Sequence, residues 1–379
     1  MKIQIVNNLI QVQPRNNKNS YCSSKPLAYD SLEIDFKGLA QKRLKMQALK
    51  LQQEAHFAYK EAGQIKNDSY AVLKEAEKYR VEATKVLRDS KKELKEVLEF
   101  LKQGQLTNHD TVYNVKTGEI LREFVDGTED EDEDDNSFVM WEYDSKGYPI
   151  RKTVVDDYII KIVIPDYDSK DSRVYIFDKT GNELIHYIEN ITLKRGGYEA
   201  DKQFVFSNSR LVTFDKKYKY KEQKGESAVE HFSYLKSKLN TYCAEWFLST
   251  DGMVEKAQDR YEYRDSILNK AYVDFEDVDG EYSKSSQEYS YDSESGFKNY
   301  AKDSYNPKKA SEKRTKKTYF AFGDEGLRRI YIDLEVLPID KKYSASQMFA
   351  CKNEKPAECK FNYIYTDGKE VFSKMEKVS

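Results

Sequence analysis

Between Leu44 and Leu101 the chain places an apolar or small residue at steps that alternate four and three: Leu44, Ala48, Leu51, Ala55, Ala58, Ala62, Ile65, Ser69, Val72, Ala76, Tyr79, Ala83, Val86, Ser90, Leu94, Val97 and Leu101. The one break is an extra step of four, from Ser90 to Leu94. Such spacing keeps one stripe of an α-helix turned toward a partner over its whole length. The segment is rich in Ala, Leu, Lys, Glu and Gln and meets no proline before Pro149. The spacing predicts a helix over 36–104, stopped by Gly104 and the Thr107-Asn-His-Asp cluster. Unbroken, it would span about 100 Å, and a helix of that length needs a mate. Gly63 with Asn67-Asp68-Ser69 offers a turn into a helical hairpin instead. The seam keeps its register through that point, which favours one continuous helix. Its alanines allow close backbone approach, while Ser69 and Ser90 interrupt it with polar groups.

The chain has 379 residues, enough for two or three domains. Charged residues make up 34% and hydrophobic ones 39%, with a mean hydropathy of -0.84, a balance suited to thin architectures with much surface per residue. The 63 basic and 66 acidic residues nearly cancel. This near-neutrality predicts no general attraction to nucleic acid or to an anionic membrane. No run of about 18 apolar residues occurs, so no membrane span is expected. The first twelve residues lack the continuous apolar run of a signal peptide, so the default address is the cytoplasm, with leaderless secretion as the alternative.

From Val112 onward the period changes from helical to two, and most of the 30 tyrosines fall after residue 105. Candidate strands include 154–165, 203–206, 210–214 and 329–334. A unit recurs in Trp141-Glu-Tyr-Asp-Ser-Lys-Gly147, Tyr175-Ile-Phe-Asp-Lys-Thr-Gly181 and Phe320-Ala-Phe-Gly-Asp-Glu-Gly326, each with aromatics six and four residues before a glycine. Looser copies start at Tyr113, Trp246, Tyr289 and Phe361. Two same-face aromatics, a short polar loop and a glycine tolerant of positive φ describe a β-hairpin. Consecutive hairpins make a meander. The fold class expected is α+β: a leader (1–35), a long coiled-coil-like helix (36–104), a first hairpin with an acidic linker (105–137) and an antiparallel β-meander (138–379).

The units resemble the tyrosine-aspartate repeats of Rhs-type and teneurin-type shells, most closely at Tyr143-Asp144…Gly147 and Phe177-Asp178…Gly181. The resemblance implies a bacterial protein with an elongated, twisted antiparallel sheet that acts as a shell or scaffold.

Chemistry is thinly marked. Phosphate-binding loops, H-E-x-x-H, G-x-S-x-G and C-x-x-C are all missing, and no His/Cys pair has metal-ligand spacing. The sequence therefore predicts no catalytic residue, metal or cofactor. Phe275-Glu-Asp-Val-Asp-Gly280 and Asp166-Tyr-Asp-Ser-Lys-Asp171 fail the calcium-loop pattern. Seven acids at Glu129–Asp135 read as a hydrated linker, and Lys308–Lys317, with six positive charges, as a solvated loop. Cys351 and Cys359 are either two free thiols or a bridge in an oxidising compartment. Trp141, Tyr143, Tyr175, Phe177 and Trp246 are the candidate binding residues; Trp141 and Trp246, in matching places of two repeats, would form an aromatic platform for a sugar ring or partner peptide, with core or cross-strand packing as the alternative role. The expected function is non-enzymatic: a sheet that binds by surface area, with a helix that self-associates or docks on a partner protein. A secreted effector or adhesin-like protein that engages host protein or glycan is the second reading.

Overall fold

The structure is a computed structural model describing α1 (Phe36–Gln103), twenty strands, the turns at 144–148, 156, 158, 171, 179–183, 208–209, 236–237, 265–266 and 353–354, and Val378. The strands are β1 (Thr111–Tyr113), β2 (Ile120–Asp126), β3 (Phe138–Tyr143), β4 (Pro149–Val155), β5 (Ile159–Pro165), β6 (Ser172–Asp178), β7 (Leu184–Thr192), β8 (Tyr198–Ser207), β9 (Arg210–Tyr220) and β10 (Ser227–Leu235). They continue as β11 (Lys238–Thr250), β12 (Met253–Arg264), β13 (Ile267–Asp277), β14 (Lys284–Asp292), β15 (Gly296–Asn306), β16 (Glu312–Gly323), β17 (Gly326–Pro338), β18 (Tyr343–Lys352), β19 (Lys355–Tyr365) and β20 (Glu370–Lys377). Every strand pairs antiparallel with the next one in the chain, so the sheet is one uninterrupted meander. The chain divides into Met1–Lys42 and Arg43–Ser379. The first unit is described only from Phe36, as the opening turns of α1. The second joins the rest of α1 and the whole sheet.

α1 is one continuous helix of 68 residues, and Gly63 sits within it, exposed. The helix lies across the strands and takes their inward faces as its mate. Arg151 of β4 bonds Glu93 at 2.9 Å and Glu96 at 3.1 Å, and Lys202 of β8 bonds Glu82 at 2.8 Å. Tyr79 stacks on Phe214 of β9 with ring centroids 3.9 Å apart. Gln47 donates to Gln347 of β18 at 2.5 Å. As the strand number rises the helix number falls, so the helix runs against the order of the meander. From Leu44 to Val97 the seam is buried apart from Val72, which is half-buried and packs against the same core. Its partner is the chain's own sheet, whereas the sequence leads one to expect self-association or docking on a partner protein.

Three tyrosines set the register. The hydroxyls of Tyr234 (β10), Tyr263 (β12) and Tyr291 (β14) donate to the backbone carbonyls of Ala76 (2.9 Å), Ser69 (3.1 Å) and Ala62 (2.9 Å). The acceptors lie seven residues apart along the helix, and the donors lie two strands apart across the sheet. Seven helical residues rise about 10.5 Å, and two strand spacings cover about 9.6 Å. One heptad therefore spans one hairpin. Residues 48, 55, 62, 69, 76, 83 and 90 are all Ala or Ser, small enough for a ring to reach past Cβ to the helix backbone.

The sheet carries a repeat to match. Tyr175/Phe177, Phe204/Phe206, Phe232/Tyr234, Tyr261/Tyr263, Tyr289/Tyr291, Phe320/Phe322 and Phe349/Cys351 recur every 28 to 31 residues. The first member of each pair is buried, and the second is followed after the turn by a cross-strand partner, which is Leu184, Leu211, Leu239, Leu268 or Leu327 in five of the seven. The sequence unit is found at Tyr175, Tyr289 and Phe320, whose turns hold Gly181, Gly296 and Gly326 at positive φ. Four other turns have no glycine. Asn208-Ser209, Lys236-Ser237, Asp265-Ser266 and Asn353-Glu354 take φ of 50 to 68° at both positions, the conformation of a two-residue type I′ hairpin. Non-glycine residues pay a steric cost there, which the flanking ladder offsets.

Two sequence expectations shift. Residues 154–165 are two strands rather than one, because the Asp156 carboxylate accepts the N–H groups of Tyr158 and Ile159 and turns the chain. Residues 312–317 of the basic run belong to β16 rather than to a loop. The acidic run at 129–135 and the glycines of the looser units at Tyr113, Trp246 and Phe361 lie outside the described residues.

Replacing Ala62, which is fully buried, by Leu is expected to lower stability by about 2 kcal/mol in chemical denaturation, because it crowds the tyrosine that reaches its carbonyl. The exposed Gln64→Leu change serves as the neutral control. Ser237→Gly is expected to raise stability by about 1 kcal/mol by relieving a positive-φ side chain. Deleting helix residues 62–68 together with strand residues 263–290 is expected to leave a cooperative thermal transition by circular dichroism, and deleting either segment alone to abolish it.

Candidate functional site

Each small seam residue is preceded by a residue that the apolar pattern passes over. Glu54, Glu61, Asp68, Glu75, Glu82, Asp89 and Glu96 repeat the heptad as an unbroken row of acids, with Gln47 at its N-terminal end. Their place beside the seam turns the row toward the sheet, and all but exposed Glu96 are half-buried. Opposite them runs a second row, two residues before the first aromatic of each repeat: Arg173, Lys202, Glu230, Asp259, Gln287, Thr318 and Gln347. The character of the facing pairs changes along the helix. Near its C-terminal end acid meets base, as in Glu82 with Lys202, which Glu189 also approaches at 3.2 Å. At its N-terminal end amide meets amide, as in Gln47 with Gln347. In the middle acid meets acid.

The central pairs hold the most perturbed carboxyls. Burial pushes Asp259 up to about 7, and the nearby charges of Asp68, Asp274 and Glu61 add to the shift. Burial also raises Glu230, with Glu75 adding to it. Hydrogen bonds from Tyr218 (2.9 Å) and Tyr242 (3.1 Å) and the charge of Lys216 oppose that rise. Tyr79 ties this group to the helix by donating to Glu75 at 2.7 Å and accepting from Lys216 at 3.2 Å. Among the described residues no group of three or more His, Cys, Asp or Glu side chains could hold a metal ion.

The five candidate binding residues do not share a surface. Tyr175 and Phe177 are interior, at 3% and 2% exposure. Trp246 packs half-buried against the same core. Trp141 and Tyr143 are half-buried on the other face of β3, since Met140 and Glu142 between and beside them point inward. Trp141 and Trp246 thus lie on opposite faces of the sheet. Lys152 stands over the Trp141 ring at 4.8 Å. Cys243, Cys351 and Cys359 are free thiols, and burial pushes Cys351 up to about 11 and Cys359 to about 12, which makes both poor nucleophiles.

The outward face of the sheet is built from cation–aromatic and ion-pair ladders. Arg260 covers the Tyr272 ring at 4.0 Å, Lys270 bonds Glu288 at 2.7 Å, and His231 is hydrogen-bonded to Asp215. Asp144 and Asp178 of the two clearest Tyr-Asp units close their own turns: Asp144 accepts the N–H groups of Lys146 and Tyr148, and Asp178 that of Glu183. No protein-family model matches the chain, and no curated protein matches it either.

Asp259, Glu230 and His231 all have folded-state values raised above their unfolded ones. Their protonated forms favour the native state, so stability falls as pH rises through the folded values. Thermal melts are expected to show a loss of about 2 kcal/mol between pH 5 and pH 8, kept below the full linkage value by solvent access to these groups. Asp259→Asn is expected to flatten that decline and to raise stability at pH 8.

Proposed function

We propose that the protein is a non-enzymatic scaffold that binds through the outward face of its antiparallel sheet, with α1 serving as the brace that holds the meander in one shape. The observation that carries this reading is the division of labour between the two faces. Inward positions are spent on the helix, while outward positions repeat aromatic and charged side chains from strand to strand, as in Trp141–Lys152 and Arg260–Tyr272–Lys270–Glu288. Repetition of this kind suits an extended partner that makes many similar weak contacts. The likeness to tyrosine-aspartate repeats supports the scaffold reading through the turn-closing roles of Asp144 and Asp178. Self-association, if the scaffold uses it, falls to surfaces other than the apolar seam, because that seam is already covered.

A glycan partner is the second reading, favoured by aromatic rings such as Trp141 and Tyr272 on the outward face. A glycan array and affinity capture with a defined panel of extracellular and cytoplasmic proteins, run with the full chain and a Trp141→Ala/Arg260→Ala/Tyr272→Ala variant, test both. Selective retention lost in the variant supports the sheet face. Equal retention by the two forms counts against it.

A further inference from the structure

The outer side of α1 has a charge that the whole chain conceals. Three positions of each heptad point away from the sheet, and from Met46 to Lys95 they comprise 22 residues, all exposed. Nine of the 22 are basic, from Lys50 to Lys95, and one, Glu77, is acidic. That surface carries +8 (nine minus one) on a chain whose net charge is -3. Glu77 is itself held by Arg80 at 2.5 Å, and Arg88 and Lys95 have Asp89 and Glu99 beside them. The segregation follows from the fold: the heptad row of acids faces the sheet, so the bases occupy the side left to solvent.

The same 22 positions hold Met46, Leu49, Phe57, Tyr70 and Val81, with 64%, 55%, 67%, 51% and 59% of their surface exposed. We propose that this side of α1 docks on an anionic lipid surface. Because the seam stays on the sheet throughout, the outward side stays outward for about 75 Å. Phosphate and carboxylate headgroups neutralise the lysines, and the apolar side chains enter the headgroup–acyl boundary. A nucleic-acid backbone would use the lysines but leave Met46, Leu49, Phe57 and Val81 in water. The bilayer uses both. This site is on the helix and is independent of the sheet face assigned above.

Vesicle co-sedimentation of the full chain tests it, with phosphatidylcholine alone against phosphatidylcholine containing about 30% phosphatidylserine. Partitioning onto the anionic vesicles is expected to be at least ~10-fold stronger, and to drop when salt rises from about 0.1 to 0.5 M. The variant Lys74→Glu/Lys78→Glu/Lys85→Glu/Lys91→Glu/Lys92→Glu is expected to abolish it, and Met46→Ser/Phe57→Ser to weaken it at low salt. Circular dichroism melts confirm that these exposed changes leave the fold intact, and Lys→Gln at the same five positions replaces the glutamates if they do not. Equal binding to neutral vesicles, undiminished binding by the charge variant, or retardation of duplex DNA with anionic vesicles left unbound would each overturn the proposal.

Discussion

The fold depends on a coincidence of lengths. A heptad of α-helix and a pair of β-strands advance by nearly the same distance, so a seven-residue rhythm laid across a meander meets the same hairpin position each time. The hydroxyls of Tyr234, Tyr263 and Tyr291 on the carbonyls of Ala76, Ser69 and Ala62 record this match. The residual difference of about 1 Å per repeat is small enough for side-chain torsions and strand twist to absorb. A seam of alanine and serine is then an advantage. It brings the helix backbone within hydrogen-bond reach of rings rooted in the sheet.

Uniform repeats raise the question of what selects one alignment, since a slide of one heptad would seat the small residues over equivalent rings. The answer lies in what does not repeat. Tyr79 stacks on Phe214 and meets Phe232 edge-on, a large residue with a place made for it on β9 and β10. Arg151 gathers Glu142, Glu93 and Glu96, and Lys202 gathers Glu82 and Glu189. A slide would move Glu82 from Lys202 toward Glu230 or Arg173 and put Tyr79 over a different ring. Electrostatics thus contributes little to holding the helix down and much to deciding where it sits. The acid-on-acid pairs near Asp259 and Glu230 are the local cost of a row that is acidic along its full length.

The helix, its seam and the existence of a hairpin meander were legible because each rests on periodicity, and the apolar pattern maps directly onto burial. The identity of the mate was not. A heptad seam that faces a sheet with a two-strand period looks the same in sequence as one that faces another helix. The hairpin repeat is only partly legible through its glycines, because Asn208-Ser209, Lys236-Ser237, Asp265-Ser266 and Asn353-Glu354 turn the chain without one. The steadier signal is an aromatic pair with a leucine just past the turn, as in Phe232-x-Tyr234 and Leu239. Tyr175 and Phe177 stand out in sequence for the property that buries them, aromatic bulk on the face turned to the helix, which serves binding and core packing alike. The acidic row is masked in sequence because it flanks the apolar stripe, and the near-neutral net charge hides the sorting of acids to one side of α1 and bases to the other.

The helix precedes its cover in the chain, and the order of contact is inverted. Its C-terminal end meets strands close in sequence, Glu93 with Arg151 across 58 residues, whereas its N-terminal end waits for Gln347, 300 residues on from Gln47. During synthesis the first-made turns of α1 are the last to be covered. Sequence separation therefore favours a zipper that closes from β4 toward β18, each new hairpin shielding the next heptad back. Until the final strands pair, the stretch around Leu44, Ala48 and Leu51 lacks its cover, and uncovered apolar surface of this kind is what makes a growing chain prone to aggregation.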